Sequence, residues 1–448
     1  MRCARDVDIT SITIPVITYA GDESNLPDIF ERINQRGTKL NKYEVFAATW
    51  IDSDTQVNSE KVRVEINNKY SALIEKGFSI DGLQEDGMIA SFNLFEYLFG
   101  FGKVIVGEGR YLFSGSTKAD PTETEPAAFS LACLSRGRQL SAMRSLPEFM
   151  PRSADGLIDP AAMEAGLLDA AKAVQSWISP YTSLRLNSQG VDSIEIAHGE
   201  LQIVSMIARA AAGRWNTQGD WSEKDGWEDD WKALEKAMPQ HYLLDIIEET
   251  WRGPLYTIAF NRVWQSEDSA DTENLEPSDY YKKPIEKESF ALILDSWFEK
   301  QMAREQRTRS YVRGSDKALL RFVYAGIVSH LDNQIQTFEL EHLFPVSRLR
   351  QEIPEAESGW PISCIANLAL FTRALNREKS KQTISEYLAK NVLPAPEKKL
   401  LDQCLLCDSA SVSIPEDGLS REAYEEFLRT RWADMKEHLF HNLKVSAS

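Results

Sequence analysis

Residues 337–381 read as strand, strand, helix, and that order limits what the chain can fold into. Thr337-Phe338-Glu339-Leu340-Glu341 alternates polar and apolar residues, the pattern of a half-buried strand, with His342 at its end. Asn367 comes 25 residues after His342 and precedes an apolar run suited to a second strand. Asn376 follows nine residues later, where a helix can begin. Folded as a hairpin and a helix, the segment brings an acid, a histidine and two asparagines toward a single cation.

Those residue types match the demands of phosphodiester hydrolysis, which needs an activated water, a Lewis acid on the phosphate and charge relief for the leaving oxygen. An imidazole is largely neutral and basic at cellular pH, so His342 suits the general base. The Glu341 carboxylate and the Asn376 amide are hard oxygen ligands of the kind Mg²⁺, or Mn²⁺, accepts in small number. Asn367 reads as an orienting residue that ties a loop to the first strand and sets the imidazole tautomer. Arg373, Arg377, Lys379 and Lys381 are expected to surround the phosphate.

The Glu341-His342-x-x-Pro345 segment, with Asn367-Leu368 and Asn376-Arg377-x-Lys379-Ser380 after it, resembles the HNH, or His-Me finger, nucleases. The resemblance includes the version found in RNA-guided CRISPR nucleases and is stronger to the C-terminal nuclease domain of GmrSD-type modification-dependent restriction enzymes. It implies a ββα-metal fold with His342 as base, Glu341 and Asn376 as metal ligands, Asn367 as the structural asparagine, and DNA as substrate. The motif covers about residues 335–390.

A second segment, Phe30-Glu31-Arg32-Ile33-Asn34-Gln35-Arg36-Gly37-Thr38-Lys39-Leu40, resembles part of the ParB-like domain of the same architecture. Gly37 suits a positive φ after a short helix, and Asn41 suits the N-cap of a helix over Lys42–Trp50. The family's Asp-Gly-Gln-Gln-Arg motif, associated with nucleotide hydrolysis, is not found upstream. Asp81-Gly82-Leu83-Gln84 only echoes it and lacks the arginine. Nucleotide handling is therefore expected from a partner chain, as in a split system, or from a start that this sequence lacks. A non-catalytic regulatory or DNA-binding subunit is the rival expectation. RNA is a further possible substrate, since the site reads a phosphodiester and not the sugar.

Length allows two to four domains. The expected fold is mainly α: part of a ParB-like domain over 1–130, a helical middle over 131–264, an acidic linker over 265–284, and an α+β nuclease domain over 285–448. No apolar run approaches the roughly 20 residues of a membrane span, and Asp6 and Asp8 interrupt any secretory pattern, so a cytoplasmic location without membrane contact is expected. Five cysteines supply no disulfide framework, and Cys404-Leu405-Leu406-Cys407 lacks the second pair that a zinc site would need.

A net charge of −18 argues against nucleic-acid binding if it is spread evenly. It is uneven: residues 300–381 hold 13 basic and 9 acidic side chains, leaving about −22 for the rest. Arg304, Arg307, Arg309, Arg313, Lys317 and Arg321 lead toward the histidine strand and suit either phosphates near the cut or a solvated helix face. In the middle region, Asp159-Pro160 marks a helix start, with Met163, Leu167, Ala171, Val174 and Ile178 at helical spacing. A second apolar helix runs from Leu201 to Ala212 and ends at Gly213. His198 and His241 read as structural. Trp215, Trp221, Trp227 and Trp231 suit either helix anchors or platforms for a base.

Overall fold

A computed structural model describes residues 41–79, 92–109, 112–113, 120–184, 197–265, 275–307, 311–327 and 338–445. The ParB-like segment from Phe30 to Leu40, the Asp81-Gly82 echo and Arg309 lie outside them. The fold is mainly helical with small sheets. In chain order the elements are α1 (Lys42–Thr49), β1 (Asp54–Thr55), α2 (Glu60–Glu75), β2 (Phe92–Asn93), α3 (Leu94–Glu108), α4 (Pro126–Ser135), α5 (Leu146–Phe149), α6 (Ala161–Thr182), α7 (Glu200–Arg214), α8 (Trp227–Ile247), α9 (Leu255–Val263), β3 (Trp264–Gln265), β4 (Glu276–Pro277), α10 (Lys287–Met302) and α11 (Gly314–Tyr324). Then come β5 (Phe338–His342), α12 (Val346–Glu352), β6 (Leu368–Thr372), α13 (Arg373–Lys379), α14 (Ile384–Leu388), α15 (Ala395–Leu405) and α16 (Arg421–Asn442). Among the described residues the strands form three antiparallel pairs: β1 with β2, β3 with β4, and β5 with β6.

Asn41 caps α1 as its sequence suggests: its side chain accepts from the Tyr43 and Glu44 amides, and Glu44 reaches back to the Asn41 amide. Helix α6 starts one residue later than Asp159-Pro160 implies. Pro160 is its N-cap, and Asp159 instead accepts from the Ala161 amide at 3.2 Å. Helix α7 is the hub. It is buried from Gln202 to Gly213 and packs against α4, α6, α8 and α9, as its run of small, good helix formers allows. A side-chain carbon at Gly166 of α6 would stand 2.8 Å from the Trp221 ring, so the glycine makes room for that indole.

The four tryptophans are helix anchors. Trp215 and Trp221 are buried, and Trp231 meets Trp177, Trp215 and Trp227 edge-on. Its indole N–H donates to the Ala210 carbonyl at 2.9 Å. Arg214 lies over three of these rings, a cation–π arrangement. The ends of the expected acidic linker, 265–284, are fixed in the fold. β3 pairs with β4, Leu275 and Ser278 are buried, and the buried Arg209 guanidinium donates to the Ser278 carbonyl. The middle bundle and the C-terminal helices share one core. Tyr181 of α6 stacks on Phe322 of α11 with ring centres 4.5 Å apart, and its hydroxyl donates to the Asn442 carbonyl at the end of α16. Among the described residues no helix is long and apolar enough to cross a membrane.

His198 and His241 are held by the fold. The His198 ring nitrogens bond Tyr242 Oη and the Leu112 carbonyl, each at 2.7 Å, and His241 bonds the Lys283 carbonyl at 2.8 Å. Burial pushes the His198 imidazole down to about 4, against about 6.5 in an unfolded chain. Between those values the unfolded state binds a proton that the folded state refuses. Stability should therefore fall as pH drops from about 6.5 to about 4, by at most about 1.4 kcal/mol per pH unit for this group, and level off below. Thermal melts across that range should show a shallower slope for His198→Gln than for wild type; equal slopes would remove His198 from the account.

Candidate functional site

The hairpin β5–β6 and helix α13 form one local unit. Register pairs Glu341 with Ala369 and His342 with Leu368, so the histidine sits at the end of the hairpin. The first strand extends one residue beyond Glu341, so His342 is the last residue of β5; Thr337 lies outside the described residues. Helix α13 follows β6 without a break. Thr372 caps it by accepting from the Leu375 amide, so Asn376 lies in the middle of the helix and not at its start. That shift turns its amide toward β5. Asn376 Nδ2 donates to Glu339 Oε2 at 2.9 Å.

Asn367 is fully buried and does the bracing work its position suggests. Its Oδ1 accepts from the Phe344 amide at 2.9 Å, and its Nδ2 donates to the Ile362 and Phe344 carbonyls at 3.0 and 3.3 Å. The Asn367 carbonyl accepts from the Leu343 amide at 2.8 Å, next to His342. Asn367→Ala strands the buried Phe344 N–H and should cost about 1–3 kcal/mol. A denaturant melt indistinguishable from wild type would contradict that accounting.

Lys379 is where the sequence reading needs correcting. It was expected at the surface beside a phosphate, but its side chain is fully buried. Its ammonium donates to the Gln382 and Ser380 carbonyls and lies 3.9 Å from Glu341 Oε1. Ser380 ends the helix at φ +50°, a left-handed turn that carries its carbonyl back to the ammonium. The buried charge has an electrostatic effect on its neighbours. Burial, then the Lys379 charge, hold the half-buried His342 imidazole down at about 4, so the ring is neutral at pH 7. Burial raises the Glu341 carboxyl above its usual range, against the opposing pull of Lys379, the His342 amide and Asn376. Lys379 itself is lowered by burial.

The other expected phosphate contacts divide. Arg373, Arg377, Lys381 and Arg313 are exposed. Arg373 is 3.5 Å from Glu339, so its charge is partly answered within the protein. Arg307 is committed elsewhere: its guanidinium donates to the carbonyls of Ile353, Pro354, Glu355 and Glu357. Arg304 faces Gln301 and Asp316, and the buried Arg321 donates to the Leu184 carbonyl. Within the basic run before the histidine strand, Arg304, Arg307 and Arg321 are therefore structural, each bonded to groups of the protein itself. Cys404 and Cys407 are free thiols, and burial raises both above the usual thiol range.

Two residues were missed in the sequence. Glu339 was legible, since it lies two residues before Glu341 on the same face of the strand. Arg431, fully buried in α16, was not. Its Nη1 donates to the Ala366 and Leu368 carbonyls at 2.7 and 2.8 Å, on either side of Asn367, and its Nε donates to the Leu405 carbonyl at 2.7 Å.

Among the described residues, no group of three or more His, Cys, Asp or Glu side chains is arranged to hold a metal ion. The expected ligands, Glu341 and the Asn376 amide oxygen, are two hard donors on adjoining elements, with Lys379 3.9 Å from Glu341 Oε1. Their hardness and small count fit Mg²⁺, which keeps several waters when protein-bound. A cleft of about 600 Å³ is lined by residues of β5, β6, α13 and α15, and one of about 760 Å³ by residues of α15 and α16; His342 lines neither. No family model, curated protein or solved structure matches the chain.

Proposed function

We propose that the chain is a metal-dependent endonuclease that hydrolyses DNA phosphodiester bonds, of the kind that restricts modified foreign DNA. One observation carries the reading. Glu341 and His342 end the first strand of a strand–strand–helix unit, Asn376 of its helix reaches back to Glu339 of that strand, and Asn367 pins the loop after His342. A divalent cation held by Glu341 and Asn376 would supply Lewis acidity at the scissile phosphate. His342 accepts the proton of the attacking water; its neutral ring at pH 7 is the form that can do so. Lys379 helps keep it neutral by placing a buried positive charge nearby. Exposed Arg373, Arg377 and Lys381 meet the phosphates flanking the cut. DNA as substrate, and restriction as its purpose, rest on the resemblance of the Glu-His-x-x-Pro and Asn-Arg-x-Lys segments.

A regulatory, non-catalytic subunit is the second reading, favoured by Lys379 already lying against Glu341 and by the small donor set. Incubating the protein with modified and unmodified phage DNA, and with RNA, separates the two. Cleavage of DNA in Mg²⁺ that stops in EDTA and returns with added Mg²⁺ or Mn²⁺ is expected. Intact DNA and RNA under every condition, with and without nucleotide, would favour the regulatory subunit.

A further inference from the structure

We infer that Glu339 is a positioning residue that sets which way the Asn376 amide faces, delivering Oδ1 rather than Nδ2 to the cation. The inference rests on the metal-dependent reading above and adds to it a residue that neither the spacing nor the resemblance assigned.

An ionised carboxylate only accepts hydrogen bonds, whereas an amide side chain can present either its oxygen or its NH₂. Left to itself, the Asn376 amide could turn its NH₂ toward the site, where it would repel a cation. Glu339 Oε2, 2.9 Å from Nδ2, removes that choice. With Nδ2 engaged by Glu339, Oδ1 is left for a ligand. Glu339 is in turn held. Its other oxygen, Oε1, lies 3.5 Å from Arg373 Nε, one turn before Asn376 on the same helix. Strand β5 and the first turn of α13 are thus joined through one carboxylate that grips the helix at two points. Residues that orient a ligand in this way typically change metal affinity by about 10–100-fold when removed.

The test is Mn²⁺ binding to the full chain, followed by the electron paramagnetic resonance of free Mn²⁺, with no dependence on cleavage. Wild type should bind Mn²⁺, and Glu341→Ala should lose it. Glu339→Ala should bind about 10–100-fold more weakly. Glu339→Gln, whose amide oxygen can still accept from Nδ2, should stay close to wild type. In an Asn376→Asp background, where no NH₂ needs turning, the penalty of Glu339→Ala should vanish. Thermal melts of each variant check that it is folded; if Glu339→Ala does not fold, the Gln variant and the Asp background decide. Equal affinity of Glu339→Ala and wild type would overturn the inference. Equal weakening of the Ala and Gln variants would do so too, since it would make Glu339 a charge or a ligand and not an orienter. No Mn²⁺ binding by wild type would remove the metal reading itself, a different failure from either of these.

Discussion

Replacing Arg431 with Met should destabilise the protein by about 3 kcal/mol and loosen the candidate site with it. The guanidinium is fully buried, and the acceptors it meets are neutral: the carbonyls of Ala366, Leu368 and Leu405, and the Tyr324 hydroxyl at 3.1 Å. Methionine matches much of the volume but donates nothing. Each buried carbonyl left without a donor costs about 1–3 kcal/mol. Relief of the charge's own desolvation works in the other direction, as it does when a buried ion pair is replaced by apolar side chains. Three carbonyls lose their donor at once, and we expect that loss to win. Lysine should rescue only part, because one ammonium on a flexible stem cannot reproduce the planar fork. A drop in melting temperature of roughly 3 °C is the corresponding readout for a chain of this size. An unchanged or raised melting temperature would show that desolvation dominates. Since the carbonyls of Ala366 and Leu368 bracket Asn367, amide exchange at Leu343 and Phe344 should quicken in the same variant.

Arg431 also shows why part of this molecule was hidden in its sequence. The hairpin was legible, because alternation along residues 337–341 and an apolar run after Asn367 carry strand information locally. The cap at Asn41 and the helical spacing of Met163, Leu167, Ala171, Val174 and Ile178 were legible for the same reason. Other features depend on partners distant in sequence. Lys379 looks like a phosphate ligand until the turn at Ser380 folds its carbonyl back over the ammonium. Arg307 looks like a surface charge until the loop from Ile353 to Glu357 closes on it. In α16, Arg431 sits among Leu428, Trp432 and Met435, and nothing in that heptad-like spacing says that an arginine will be buried with them. Asn376 lies inside its helix and not at the helix start, because Thr372 supplies an earlier cap.

The largest functional effect is expected at His342. If this imidazole takes the proton from the attacking water, removing it should cost about 10²–10⁴-fold in rate. Lys379 gives the prediction a second arm. Lys379→Met removes the charge that helps hold the ring neutral, so the His342 proton should bind more readily. The acidic limb of the rate profile should then move to higher pH, whereas a purely structural lysine would lower the rate without moving the limb. The variant also leaves Glu341 without its nearby ammonium, so the shift should be read relative to a folded, metal-binding protein.

The most direct measurement compares wild type and His342→Ala in one Mg²⁺-dependent cleavage assay, on DNA that wild type cuts, with matched thermal melts. The account predicts a loss of about 10²-fold or more in the variant, with Mn²⁺ binding and the folded state preserved. Cleavage at the wild-type rate by His342→Ala would contradict it.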